Sequence, residues 1–130
     1  MSLEPPQISI VAPLYNESES FPHLVQRLTQ LMDSLSLRIE VVLIDDGSRD
    51  TTPLQMRQIA LTDPRYHCVF LSRNHGHQLA LTAGLAAARG TEALFVIDGD
   101  LQDPPELILD LYSKYCEGYQ EIGRASCRER

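Results

Sequence analysis

The chain has no run of the ~20 consecutive apolar residues that a membrane-spanning helix needs, although 43% of its 130 residues are hydrophobic. Those residues are therefore expected to build a water-soluble core. The length suits one compact domain that buries roughly two-thirds of the surface of its unfolded chain. The start, Met-Ser-Leu-Glu-Pro-Pro, lacks the basic and apolar regions of a signal peptide, which predicts a cytoplasmic location. Cysteine is sparse: Cys68, Cys116 and Cys127 form no CxxC pair and are odd in number, so neither a zinc site nor a disulfide framework is indicated. Such thiols are expected to be buried and reduced. Basic residues are scarce as well. Eleven Lys and Arg face 18 Asp and Glu, for a net charge of −7, which excludes nucleic acid as a partner because phosphate backbones are held by surplus positive charge. The single Lys, Lys114, stands in a helical pattern. That excludes a phospho-acceptor receiver domain, which needs a Lys after a late strand beside its paired acids.

What is present is an alternation of two periodicities. Residues 7–13 (Q-I-S-I-V-A-P) read as a strand, and from Phe21 the positions Leu24, Val25, Leu28, Leu31, Met32 and Leu35 recur at helical spacing. The unit repeats as a strand at 38–44 and a helix from Pro53 to about residue 61, with Pro placed for the first helical turn. It repeats again as a strand at 66–71 and a small-residue helix at about 78–88. A last strand at 93–97 precedes a helix opened by Pro104-Pro105-Glu106 and running to about Cys116. Four βα units in tandem predict an α/β fold with a parallel sheet and right-handed crossovers, its strands buried on both faces. Gly76, Ala80, Gly84 and Ala87 or Ala88 form a small-residue stripe, read as a helix packed closely on the sheet.

Residues 121–130 (E-I-G-R-A-S-C-R-E-R) break this pattern, with three Arg and no strand-like run. The decapeptide reads as the translation of a common sequencing-adapter stretch and is expected to be foreign. The authentic part is then residues 1–120, with eight basic and 16 acidic residues and a net charge of −8. On this reading the chain is truncated after about four βα units.

Polar residues gather just after each strand: Tyr15, Asn16 and Glu17; Asp45, Asp46, Gly47 and Ser48; Arg73, Asn74 and Gly76; Asp98 and Asp100. Ligands of open parallel sheets bind at those carboxyl ends, so the four loops are expected to face one site. In Asp98-Gly99-Asp100 an extended backbone points both carboxylates to one side, and Gly99 permits close approach. Two hard oxygen ligands suit Mg2+ or Mn2+, and Gln102 can add an amide oxygen. A bare D-x-D is more often a solvated acidic turn. Here, however, Asp45, Asp46, Asp98 and Asp100 would crowd one crevice, and a bound diphosphate would add more negative charge. A divalent cation relieves that repulsion and assists departure of the diphosphate. Asp45-Asp46-Gly47-Ser48 by itself is a common side-chain-capped turn. His75 and His77 straddle Gly76 without a third zinc ligand nearby.

Four segments stand in order: V-A-P-L-Y-N-E at 11–17, V-V-L-I-D-D-G-S at 41–48, S-R-N-H-G-H-Q-L-A-L at 72–81 and D-G-D-L-Q-D-P-P-E at 98–106. Together they resemble glycosyltransferase family 2, the inverting transferases of the GT-A fold. D-x-D-L-Q-x-P-P-E with R-N-x-G is most similar to the branch that contains dolichyl-phosphate mannosyltransferases and bacterial polyprenyl-phosphate glycosyltransferases. The resemblance implies a GT-A, Rossmann-like nucleotide-sugar-binding half in which the first and fourth strands are neighbours. It assigns Pro13, Tyr15, Asn16 and Glu17 to the nucleotide pocket, and Asp45 or Asp46 to the base and ribose. Asp98, Asp100 and Gln102 go to the metal and diphosphate, with Asp100 catalytic. Arg73 and Gly76 fall to the loop facing the nucleotide or diphosphate, where Arg73 can pair with phosphate bidentately.

The implied reaction moves a sugar, with inversion, from a UDP- or GDP-sugar to a lipid-linked acceptor, undecaprenyl or dolichyl phosphate, at the cytoplasmic face of a membrane. Mg2+ or Mn2+ holds the leaving diphosphate. Transfer to a glycan hydroxyl in cell-envelope synthesis is the alternative and needs a carboxylate base, which the family places beyond Gln120. A nucleotide-binding fragment without activity is the third reading.

Overall fold

In the computed structural model, which describes residues 5–73, 76–90, 93–97, 110, 113 and 127–129, each apolar run becomes a strand within one residue of its expected bounds. β1 (Ile8–Leu14) leads to α1 (Phe21–Ser34), β2 (Ile39–Asp45) to α2 (Thr52–Thr62), β3 (Tyr66–Phe70) to α3 (His77–Ala87), and β4 (Ala93–Val96) follows. Of the expected fourth helix only Asp110 and Ser113 are described, and both are helical.

Helix α1 buries Phe21, Leu24, Leu28, Leu31 and Met32, the i, i+3, i+4 stripe that its sequence carries. It ends where Leu35 turns extended. Pro22 and Pro53 sit in the first turns of α1 and α2, where the missing N–H costs nothing.

The sheet order is β3-β2-β1-β4-β5, where β5 is Cys127–Glu129. β1 through β4 are mutually parallel, as the βα alternation requires. β1 and β4 are neighbours, so the chain steps outward from β1 to β3 and then reverses across β1. That reversal is the topological switch point of the sheet.

Two features depart from expectation. β5 pairs antiparallel with β4, Phe95 opposite Cys127 and Ala93 opposite Glu129, although residues 121–130 have no strand pattern. An open edge of β4 offers a row of backbone N–H and C=O groups, and pairing with them asks nothing of side-chain type. β3, on the opposite edge, is only partly buried, with Phe70 39% exposed. Arg57 covers the Phe70 ring at 4.6 Å. Burial on both faces holds for β2, where every residue is buried.

Alternate strand residues feed two cores. One face carries Ile8, Ile10, Ala12 and Leu14 with Val41, Leu43 and Phe95 against α1 and Met56 of α2. The other carries Val11, Val42, Ile44 and Leu94 against Ala80 and Ala88 at α3. A Cβ on Gly84 would fall 2.5 Å from both Ile44 Cδ1 and Val11 Cγ1. The small-residue stripe is therefore close helix-on-sheet packing, as expected. Gly76 stands apart from it, in open space at φ 94° before α3. Cys68 is half-buried rather than buried, and that burial pushes its thiol up to about 11 against a weaker opposing pull from Arg57. Cys116 and the side chain of Cys127 lie outside the described residues.

Candidate functional site

Because β1 to β4 run parallel, their carboxyl ends share one edge of the sheet. β1 extends to Leu14 opposite Asp45 of β2, whereas β4 ends at Val96 opposite Val11. The backbone N–H of Ile97 still donates to Val11 O at 3.0 Å. The last residues of β1 thus run on past the end of β4 at the switch point, where ligands of such sheets collect.

The loops after β1 and β2 are locked together. Asn16 takes a left-handed conformation, φ 52°, which Asn tolerates better than most residues. Its N–H donates to Ser48 Oγ at 2.8 Å, and its Oδ1 accepts the N–H of Arg49 at 2.9 Å. The N–H of Glu17 donates to Thr52 Oγ1 at 3.0 Å, and that of Ser18 to Asp50 Oδ2 at 3.1 Å. Gln55 Nε2 donates to Ser18 O at 3.2 Å, and Ser20 Oγ donates to Glu17 Oε2 at 3.0 Å. A cavity of about 310 Å³ lies over this joint, lined by Asn16, Glu17, Ser18, Glu19, Ser20 and Asp50.

Asp45 and Asp46 are both buried. Asp45 Oδ1 accepts the N–H of Ser48 at 3.1 Å, closing a turn through Gly47 at φ 75°. The capped turn anticipated for D-D-G-S is therefore real. The N–H of Asp46 continues the β1–β2 ladder to Leu14 O at 2.9 Å, and Asp45 O accepts the N–H of Leu71 at 2.9 Å, tying the β3 end to the same edge. Burial is the largest single influence on Asp50 and pushes its carboxyl up, but the hydrogen bonds from Thr52 and Ser18 together outweigh it and hold the carboxyl at about 2. It stays ionised at neutral pH.

The structure therefore gathers Pro13, Tyr15, Asn16, Glu17, Asp45 and Asp46 around the ends of β1 and β2. Pro13 is half-buried and Tyr15 is 41% exposed. Arg73 is exposed two residues past Leu71. Gly76 opens α3, its carbonyl accepting the N–H of Ala80 at 3.2 Å. Asn74, His75, Asp98, Asp100, Gln102 and the side chain of His77 lie outside the described residues. Ser48, expected at the site, belongs to its framework together with Ser18, Asp50 and Thr52, which the sequence pattern does not single out. Asp50-Thr51-Thr52 directly precedes the Pro53 that marks a helix start, and the pairing of loops 32 to 37 residues apart leaves no local spacing signal.

Among the described residues no three His, Cys, Asp or Glu side chains are grouped to hold a metal ion. The donor set Asp98, Asp100 and Gln102, all hard oxygen donors, suits Mg2+ or Mn2+ by its chemistry, and those residues follow directly from the end of β4.

A parallel sheet with a β1/β4 switch point, and polar loops at its carboxyl edge, defines an α/β protein of GT-A architecture. The family model for glycosyl transferase family 2 matches residues 9–124, and the chain belongs to that family. It is 46% identical over 116 residues to the uncharacterized glycosyltransferase YkcC of Bacillus subtilis, covering 89% of this chain and 36% of that protein. It is 42% identical over 118 residues to the undecaprenyl-phosphate 4-deoxy-4-formamido-L-arabinose transferase of Shewanella sediminis, covering 89% and 35%. Among solved structures it is similar to the mannosyltransferase PcManGT of Pyrobaculum calidifontis in complex with GDP-Man and Mn2+, with a TM-score of 0.63, 26% identity and coverage of 75% and 28%. The chain spans about a third of the length of the curated relatives it matches. No helix among the described residues is long and apolar enough to cross a membrane.

Proposed function

We propose that the protein to which this chain belongs is an inverting, metal-dependent hexosyltransferase that moves a sugar from a UDP- or GDP-sugar to undecaprenyl or dolichyl phosphate at the cytoplasmic face of a membrane. The observation that carries the reading is the joint between the β1 and β2 loops, set beside a β4 strand that ends at the switch point. Residues 1–120 form the donor-binding part, and residues 121–130 are foreign to it. In this reading Pro13, Tyr15, Asn16 and Glu17 line the nucleotide pocket, and Asp45 or Asp46 accepts hydrogen bonds from the base or ribose. Arg73 and the backbone at Gly76 meet the nucleotide or diphosphate, while Asp98, Asp100 and Gln102 hold Mg2+ or Mn2+, with Asp100 the catalytic member. The ion supplies charge neutralisation for the departing nucleoside diphosphate. The chain's own residues hold the donor still and keep its leaving group aligned, which is where rate gains from orientation arise.

A phosphate monoester acceptor is largely ionised at neutral pH and needs little general-base help. This suits a site made of metal and phosphate ligands. The relative that acts on undecaprenyl phosphate supports the same acceptor class here. The test is to incubate the whole protein with radiolabelled UDP- and GDP-sugars and undecaprenyl phosphate. A labelled lipid extractable into organic solvent is the expected product. Label found only in water-soluble glycan would favour the hydroxyl-transfer reading, and label in neither fraction would leave nucleotide binding alone.

A further inference from the structure

At the opposite end of the sheet from the site, a carboxylate is buried where the donor reading has no use for it. Glu40, the second residue of β2, is 3% exposed. Its Oε2 accepts Ser9 Oγ–H and the backbone N–H of Arg89, both at 2.5 Å. Ser9 Oγ in turn accepts the N–H of Gly90 at 2.7 Å. Arg89 Nε lies 3.3 Å and His67 Nε2 3.7 Å from the other oxygen, Oε1. Burying a carboxylate is costly unless it is well paired, so four polar contacts around one group indicate a part of the structure held under tight geometric control.

What is held is the entry to β4. α3 ends at Ala87, the chain turns extended at Ala88, and Arg89 and Gly90 are fastened before β4 starts at Ala93. A Cβ on Gly90 would lie 2.7 Å from Ser9 N and 2.8 Å from its Oγ, so only glycine admits this approach. β4 itself is four residues, A-L-F-V. It is apolar on both faces, so it lacks the polar alternation that pins the register of half-exposed strands. A two-residue slip would keep each side chain on its own face while displacing the exit of the strand by ~6–7 Å. That exit, at Ile97, delivers Asp98 and Asp100.

We propose that Glu40 is a positioning residue: through Ser9 and the Arg89–Gly90 backbone it fixes the register of β4 on β1, and so sets where the chain leaves β4 at the donor site. This rests on the donor-site reading for its consequence but not for its geometry.

Two readouts on the present chain keep the two apart. In Ser9→Ala and Glu40→Ala, the amides of Ala93 and Ile97, which bond to Gln7 O and Val11 O, are expected to exchange with solvent at least about tenfold faster. The amide of Leu71, on the β2–β3 side, keeps its protection. In the same variants the gain in UDP or GDP affinity on adding Mn2+ falls about tenfold, by analogy with the loss of supporting shells around metal sites, while metal-free affinity is unchanged. Glu40→Gln keeps an oxygen for both Oε2 contacts and is expected to retain wild-type behaviour. Arg89→Ala is expected to do the same, because the backbone N–H is what is held. Unchanged exchange at Ala93 and Ile97, or equal loss at Leu71, overturns the inference. A wild-type chain with no Mn2+-dependent gain defeats the donor reading instead, and the exchange data still judge Glu40. If Glu40→Ala does not fold, the smaller change Ser9→Ala carries the test.

Discussion

Asp50 shows how a single residue can serve the framework of the site through its charge. Its carboxyl is held at about 2, below an ordinary value of 3.8, because Thr52 and Ser18 donate to it. A carboxyl depressed in the folded state contributes stability that is fully present above its unfolded value and is lost as pH falls toward the folded one. Urea midpoints recorded from pH 5 to pH 2 should therefore decline most between about pH 4 and pH 2, and Asp50→Asn should flatten that decline while lowering the midpoint at neutral pH. Asp63, held down chiefly by its hydrogen bond from Arg65, acts in the same direction and should leave a residual slope. Gly84 makes the steric counterpart. Gly84→Ala drives a methyl group into Ile44 and Val11, and overpacking of this kind costs roughly 1–3 kcal/mol. Chemical denaturation should show a loss of that size, and an unchanged midpoint would mean that α3 rides higher on the sheet.

Among the elements, the decisive one is the joint between the loops after β1 and β2. Asn16 combines a left-handed backbone with two hydrogen bonds across the joint. Asn16→Ala should cost about 1–2 kcal/mol, from the lost acceptor for Arg49 N–H and from a conformation that Ala resists. Asn16→Gly should recover the conformational part only. Nucleotide affinity is expected to fall in both variants, since the side-chain contact is absent from both. The strands and helices themselves were legible in sequence because apolar spacing follows burial directly, as Leu24, Leu28 and Leu31 do along α1. The joint was not legible, because its hydrogen bonds link residues far apart in sequence and of types that any surface loop can carry. β5 escaped for a related reason. It is held by the open backbone of β4, not by a pattern of its own.

At the scale of the whole molecule, the order β3-β2-β1-β4 of parallel strands brings four separate carboxyl ends to one edge. The βα alternation predicted the parallel sheet, but the adjacency of β1 and β4 came only from the family resemblance, since periodicity carries no information on strand order. Buried Glu40 was invisible for the same reason: one Glu in an apolar run signals nothing until Ser9, Arg89 and Gly90 are seen around it. The central claim is that the carboxyl edge binds a nucleoside diphosphate together with a divalent ion. Calorimetric titration of UDP and GDP into the protein, with and without Mn2+, tests it most directly. One nucleotide should bind, Mn2+ should tighten it, and Asp100→Ala should abolish the Mn2+-dependent part. No binding at any Mn2+ concentration, or a Mn2+-dependent gain that survives Asp100→Ala, would contradict it.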